Sequence, residues 1–76
     1  MTPDKIKNRL LEFCTLIGFD YKGKRGGVDP FNPHEFDIFY GDEMLTVSSI
    51  EEVMTTPLFD GKSLNDIYND IEIDEW

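Results

Sequence analysis

Few residues in this chain could carry covalent chemistry, and they are poorly spaced to act on one another. There is one histidine, His34, and one cysteine, Cys14. Nucleophilic catalysis needs a serine or cysteine held against a base, but the only imidazole follows Pro33, far in sequence from the only thiol. His34, Glu35 and Asp37 suggest a metal site at first glance. Their spacing matches no common ligand pattern, and Asp37 should alternate away from Phe36 and Ile38 if the segment is a strand. A second histidine, a thiolate pair and an acidic loop of calcium-binding spacing are all missing from the sequence. The sixteen carboxylates form close pairs by chance alone. A chain of 76 residues also encloses little pocket volume. The expectation is a protein that is not an enzyme and holds no metal or cofactor.

Two stretches have the composition of recognition elements. The first is Lys22, Lys24, Arg25, Gly26 and Gly27. Three cations among glycines could cradle a phosphate or carboxylate on successive backbone N–H groups. The plain alternative is a solvated loop, because the glycine spacing is not that of a dinucleotide fingerprint and prolines follow where a helix should. The second is the acidic end: Asp66, Asp70, Asp74 and Glu75, closed by Trp76. Like charges four residues apart on a helix repel, and acids near a helix C-terminus oppose its dipole. The plain alternative is an acidic surface that only confers solubility; Trp76 either folds back or is presented to a partner. Gly61-Lys62-Ser63 superficially matches the end of a nucleotide-hydrolase phosphate loop, but Thr56 stands where that loop needs glycine.

Charge is laid out unevenly. Residues 1–28 hold six cations against three acids, and residues 29–76 hold thirteen acids against Lys62 alone. The local nets are +3 and −12, within a total of −9. Such a balance concerns partners and association rates. The main expectation is a small acidic binding module that recognises a basic protein surface, including mimicry of nucleic-acid phosphates toward a nucleic-acid-binding protein. The alternative is an anion- or nucleotide-binding regulatory domain using the Lys22–Gly27 segment. Direct contact with nucleic acid or a membrane is not expected. Without a secretory signal or an apolar run long enough to span a bilayer, the expected location is the cytoplasm.

Elements must position these residues, and 76 residues support one small domain. Thr2, Pro3 and Asp4 suit a helix start, and Ile6, Leu10, Phe13, Cys14 and Ile17 recur at helical spacing up to Gly18. In this pattern Cys14 is a small core residue. Phe19-Asp20-Tyr21 alternates like a strand, and the glycines and prolines of 22–33 predict a long loop. Phe36–Tyr40 and Glu43–Val47 flank Gly41-Asp42 and predict a β-hairpin, with Leu45 and Val47 inward. Ser49 and Ser63 open two short helices, and 71–73 is a candidate terminal strand. The fold class is therefore α+β: an N-terminal amphipathic helix packed on a small antiparallel sheet centred on hairpin 36–47, followed by two short helices. From Val47 to Ile73 the chain has the character of a compact bacterial or phage accessory domain, with no motif that assigns a family.

Overall fold

Pro3 begins the first helix, α1 (Pro3–Phe13), with Thr2 extended as its N-cap and Asp4 in the first turn. The computed structural model describes residues 2–76. The side chain of Phe13 lies outside that description, and so does its expected place in the core. Helix α1 ends earlier than its apolar spacing implied. Cys14 adopts the left-handed conformation (φ 49°) and its N–H bonds the Leu10 carbonyl. Cys14 is exposed, which corrects its reading as a core residue. Ile17 and Gly18, taken as the last helical turn and its stop, instead open strand β1 (Ile17–Tyr21). The apolar period ran across the boundary because Ile17 is buried from the strand as it would have been from a helix.

The larger correction concerns residues 22–33. Only Lys22 (φ 50°) and Gly23 (φ 78°) form a turn, and strand β2 runs from Lys24 to Asn32. Two positive φ values in a two-residue connection define a primed hairpin turn, which matches the twist of flanking strands. Gly26 and Gly27 are glycine for space, not flexibility. A Cβ on Gly26 would lie 2.9 Å from the Phe19 ring, and one on Gly27 2.6 Å from Phe39 Cζ. Pro30 is tolerated for a geometric reason. The Arg25 carbonyl accepts from Gly41 N–H at 2.8 Å, so odd-numbered residues of β2 face β3 (Glu35–Tyr40) and even-numbered ones face β1. The last β1 partner on that side is Val28, so the donor that Pro30 lacks has no ladder to meet.

The hairpin of β3 and β4 (Glu43–Val47) forms as expected around Gly41 (φ 60°) and Asp42. Ser49 caps α2 (Ile50–Thr55) by accepting from Glu52 N–H, and α3 (Leu64–Ile67) follows a turn at Asp60-Gly61. Strand β5 (Glu72–Glu75) ends the chain. The five antiparallel strands lie in the order β4-β3-β2-β1-β5.

All three helices feed one core on one side of the sheet: Ile6 and Leu10 from α1, Val53 and Met54 from α2, and Leu64 and Ile67 from α3. These meet Phe19, Tyr21, Val28, Phe36, Ile38 and Tyr40 from the strands. Phe59 anchors the connection, its ring centroid 5.6 Å from Phe19 and 5.8 Å from Tyr40. The buried Tyr40 hydroxyl donates to the Tyr21 carbonyl at 2.8 Å, which satisfies it inside the core. Leu45 departs from expectation. It alternates with the inward set but stays 46 % exposed, whereas Val47, on the same face and nearer α2 in sequence, is buried in the core. Among the described residues, no helix is long and apolar enough to cross a membrane.

Candidate functional site

With every helix on one side, the other face of the sheet is open, and strand alternation decides what it carries. Register places Met44, Phe39, Gly27, Gly18 and Glu75 in one row across all five strands. In a neighbouring row Thr46, Asp37 and Asp29 stand side by side. Asp20, Arg25 and Glu72 align on the other flank. Phe31, after the buried Pro30, is exposed.

The centre of this face is shaped by its two glycines. The Phe39 ring lies over Gly27, and the Arg25 guanidinium lies over Gly18, where a Cβ would come within 2.5 Å of Nη2. From there Arg25 crosses β1 to reach β5. It makes close ion pairs with Asp74, a contact of 2.7 Å to Glu75 and a looser one of 3.9 Å to Asp20. Hydrogen bonding to Asp74 holds its pKa above the ordinary arginine value, with Glu75 adding to the effect against some desolvation. Asp74 is the extra residue where the β1–β5 register shifts. That bulge brings both terminal carboxylates to one guanidinium.

Arg25 is the only cation among these outward positions, facing Asp20, Asp29, Asp37, Glu72, Asp74 and Glu75. Asp29 and Asp37 are direct cross-strand partners, an arrangement that costs stability between like charges. Asp37 accepts a hydrogen bond from the Thr46 hydroxyl at 2.6 Å. Exposed apolar surface lies beside these acids: Met44 is 64 % and Phe31 56 % exposed, and Phe39 is half-buried.

The acidic residues singled out from the sequence do not form one site. Asp74 and Glu75 reach the open face. Asp66 instead closes the start of α3, accepting from Ser63 N–H at 3.1 Å and from its hydroxyl at 3.0 Å. Those bonds lower its pKa. Asp66 stands in the first turn of the helix, where a negative charge is favourable, which corrects the view that helix energetics disfavour it. Asp70 follows α3 and lines an open cleft of about 380 Å³ with Asp20, Lys22, Gly23 and Glu72. Trp76 turns back toward α1: the Arg9 guanidinium stands 5.2 Å from its ring centroid and hydrogen-bonds its carbonyl. The ring remains 40 % exposed.

The basic segment is likewise dispersed. Lys22 pairs with Asp60 at 3.2 Å, which raises its pKa, and stands 5.7 Å from the Tyr21 ring centroid. Lys24 lies 5.5 Å from the Tyr40 ring centroid, and Arg25 is committed to β5. Gly26 and Gly27 belong to the central strand, paired to β1 and β3. The glycine-loop cradle that motivated anion binding is therefore not formed.

Sequence reasoning missed Phe39, Met44, Asp29 and Asp37 as a group. The hairpin alternation already placed Asp37 outward. The lost signal was Asp29, hidden because β2 was read as a loop. Among the described residues, no three His, Cys, Asp or Glu side chains are grouped to hold a metal. No family model, curated protein or solved structure matches this chain.

Proposed function

We propose that this domain is a non-enzymatic acidic binding module that recognises a basic protein surface through the open face of its sheet. The observation that carries the reading is the face itself: six carboxylates around the half-buried Phe39 and the exposed Met44, with a single cation that is already paired. Helix packing leaves this face uncovered, so its apolar surface and the carboxylates that do not clasp Arg25 are available to a partner. An apolar centre with a charged rim is the usual anatomy of a protein interface. The charge would steer a basic partner and make association sensitive to salt, since exposed charges are screened beyond ~10 Å at 0.1 M ionic strength. Mimicry of nucleic-acid phosphates is one form this recognition takes. The same field repels nucleic acid itself. In this reading the domain works in the cytoplasm and away from membranes.

The test changes Asp20, Asp29, Asp37 and Glu72 to Asn or Gln and compares capture of partners from host lysate at low and moderate salt. Asp74 and Glu75 are left intact because they hold Arg25. A control changes Asp4 and Glu12 of α1, on the helical side. The open-face variant should lose the salt-sensitive partners, and the control should keep them. If both variants capture the same proteins with unaltered salt sensitivity, the face is a solubility device and the proposal fails.

A further inference from the structure

The two edges of this sheet are built very differently. β5 reads Glu72-Ile-Asp-Glu75, carries a register shift and is clasped by Arg25. Charge and irregularity are the usual protections of an edge against unwanted pairing. β4 reads Glu43-Met-Leu-Thr-Val47 and pairs with β3 in unbroken register, without lysine, proline or bulge. Val47, at its end, is buried in the core, but the middle of the strand is exposed on both faces: Met44 (64 %) toward the open side and Leu45 (46 %) toward the helical side. The core therefore reaches this edge only at Val47 and leaves Leu45 uncovered.

The backbone of that edge follows from the register. Gly41 N–H faces β2, so Phe39 and Asp37 face β2 as well, and Ile38 and Tyr40 face β4. Leu45, Glu43 and Val47 then bond to β3, leaving the N–H and C=O of Met44 and Thr46 directed away from the sheet. Two donors and two acceptors are thus aligned along an apolar edge.

We propose that β4 is the docking edge of this module and accepts, as an added strand, an extended partner segment that alternates lysine or arginine with apolar residues. This rests on the basic-surface reading above and specifies how the partner engages. Charge selects the occupant. Asp37, Asp42, Glu43 and Glu35 all lie on or beside the hairpin that ends in this edge. A second copy would bring its own −9 to an edge that is already acidic. A basic strand instead gains main-chain bonds at Met44 and Thr46, and apolar contacts on Met44 and Leu45 from opposite faces.

The experiment titrates the intact domain with a short synthetic peptide alternating lysine and valine. Parallel titrations use the same peptide N-methylated at alternate residues and a version with glutamate in place of lysine. Binding is read by anisotropy and by amide exchange. The unmodified peptide should bind and slow exchange at Met44 and Thr46. N-methylation should weaken binding about tenfold or more, the loss expected from two hydrogen bonds. Thr46→Pro removes one outward N–H together with the Thr46 hydroxyl bond to Asp37 and should weaken binding similarly, whereas Thr46→Val, which loses the hydroxyl and keeps the N–H, should bind as the parent does. Should the lysine peptide bind but ignore both N-methylation and Thr46→Pro, the edge proposal falls and the basic-surface reading stands. Equal binding of the glutamate version refutes the charge preference and the basic-surface reading with it. Failure of the lysine peptide to bind, or slow exchange at Met44 and Thr46 in a peptide-free dimer, overturns the proposal.

Discussion

Gly27→Ala is the sharpest test of the fold, because the loop and strand readings of residues 22–27 predict opposite results. In a flexible loop the change is neutral or mildly stabilising, since alanine restricts the unfolded chain by about 0.4–1 kcal/mol. In β2 the new Cβ would sit 2.6 Å from Phe39 Cζ and closer still to the Ile17 carbonyl oxygen, where ordinary contact is 3.4–4 Å. The phenyl ring can rotate away. The carbonyl cannot, because Ile17 is paired to Val28 beside it and any shift opens the β1–β2 ladder. Overpacking of this kind costs about 1–3 kcal/mol. Set against the unfolded-state gain, the net loss is about 1–2 kcal/mol. For a domain of this size each kcal/mol lowers the melting temperature by about 4–8 °C, so far-UV circular dichroism should show a fall of roughly 5–15 °C. Adding Phe39→Ala relieves the ring clash only, so the double variant should not regain the melting temperature of Phe39→Ala alone. Gly23→Ala serves as a comparison, because no atom lies within 4 Å of its would-be Cβ and only its positive φ is strained. An unchanged melt for Gly27→Ala would refute the strand assignment and restore the mobile basic loop.

Other outcomes follow from the same contacts. Arg25→Gln should speed amide exchange across the β1–β5 pairing while leaving the β3–β4 hairpin unaffected; equal protection in both forms would show the clasp to be idle. Asp66 has a lowered pKa because Ser63 bonds its carboxylate, so its contribution is full above the unfolded carboxylate value of ~3.9 and fades as pH falls through the folded value. The melting temperature should therefore drop more steeply in that acidic range for the parent than for Asp66→Asn, and parallel curves would contradict the cap. Ser49→Ala should cost about 0.5–2 kcal/mol by leaving Glu52 N–H without its cap, as measured by urea unfolding. Cys14 is exposed and should react with a thiol reagent in the folded protein as readily as in urea; native-state protection would place it back in the core.

What could be read from the sequence depended on whether a residue type had one role or two. Alternating Phe36, Ile38 and Tyr40 around Gly41-Asp42 admits one arrangement, and the hairpin formed with that register. Ser49 with Glu52 likewise permits little but a cap. Glycine has two roles, conformational freedom and absence of bulk. At Gly26 and Gly27 the second applies, and only the rings of Phe19 and Phe39 reveal it. Proline is similar: Pro30 excludes a strand only if the strand needs its donor, which depends on where β1 ends. Ile17 extended the helical stripe because burial from the next strand imitates the helical period at a boundary, and Cys14 was read inward with it although it is exposed. The scattering of Asp66, Asp70, Asp74 and Glu75 could not be read at all, since it depends on α3 stopping at Ile67.

The charge asymmetry, the strongest signal in the sequence, turns out to be partly structural. Lys7 pairs with Glu51, Lys22 with Asp60, and Arg25 with Asp74 and Glu75, while Arg9 holds the backbone and ring of Trp76. Four of the six cations of the first half thus tie down segments of the acidic second half. Each such pair contributes little alone, yet together they join α1, the β1–β2 turn and β2 to segments late in the chain. Their effect on function is subtractive. Once these carboxylates are matched and Asp66 is spent on its cap, the acids that stand together without a cation are those of the open face, above all Asp29 and Asp37 beside Phe39, Met44 and the uncovered edge of β4. Stability alone gives no reason to place two aspartates directly across from each other there. A basic partner lying on that face does, because it would supply the counter-charge there, and an extended segment of it added at β4 would cover the apolar edge.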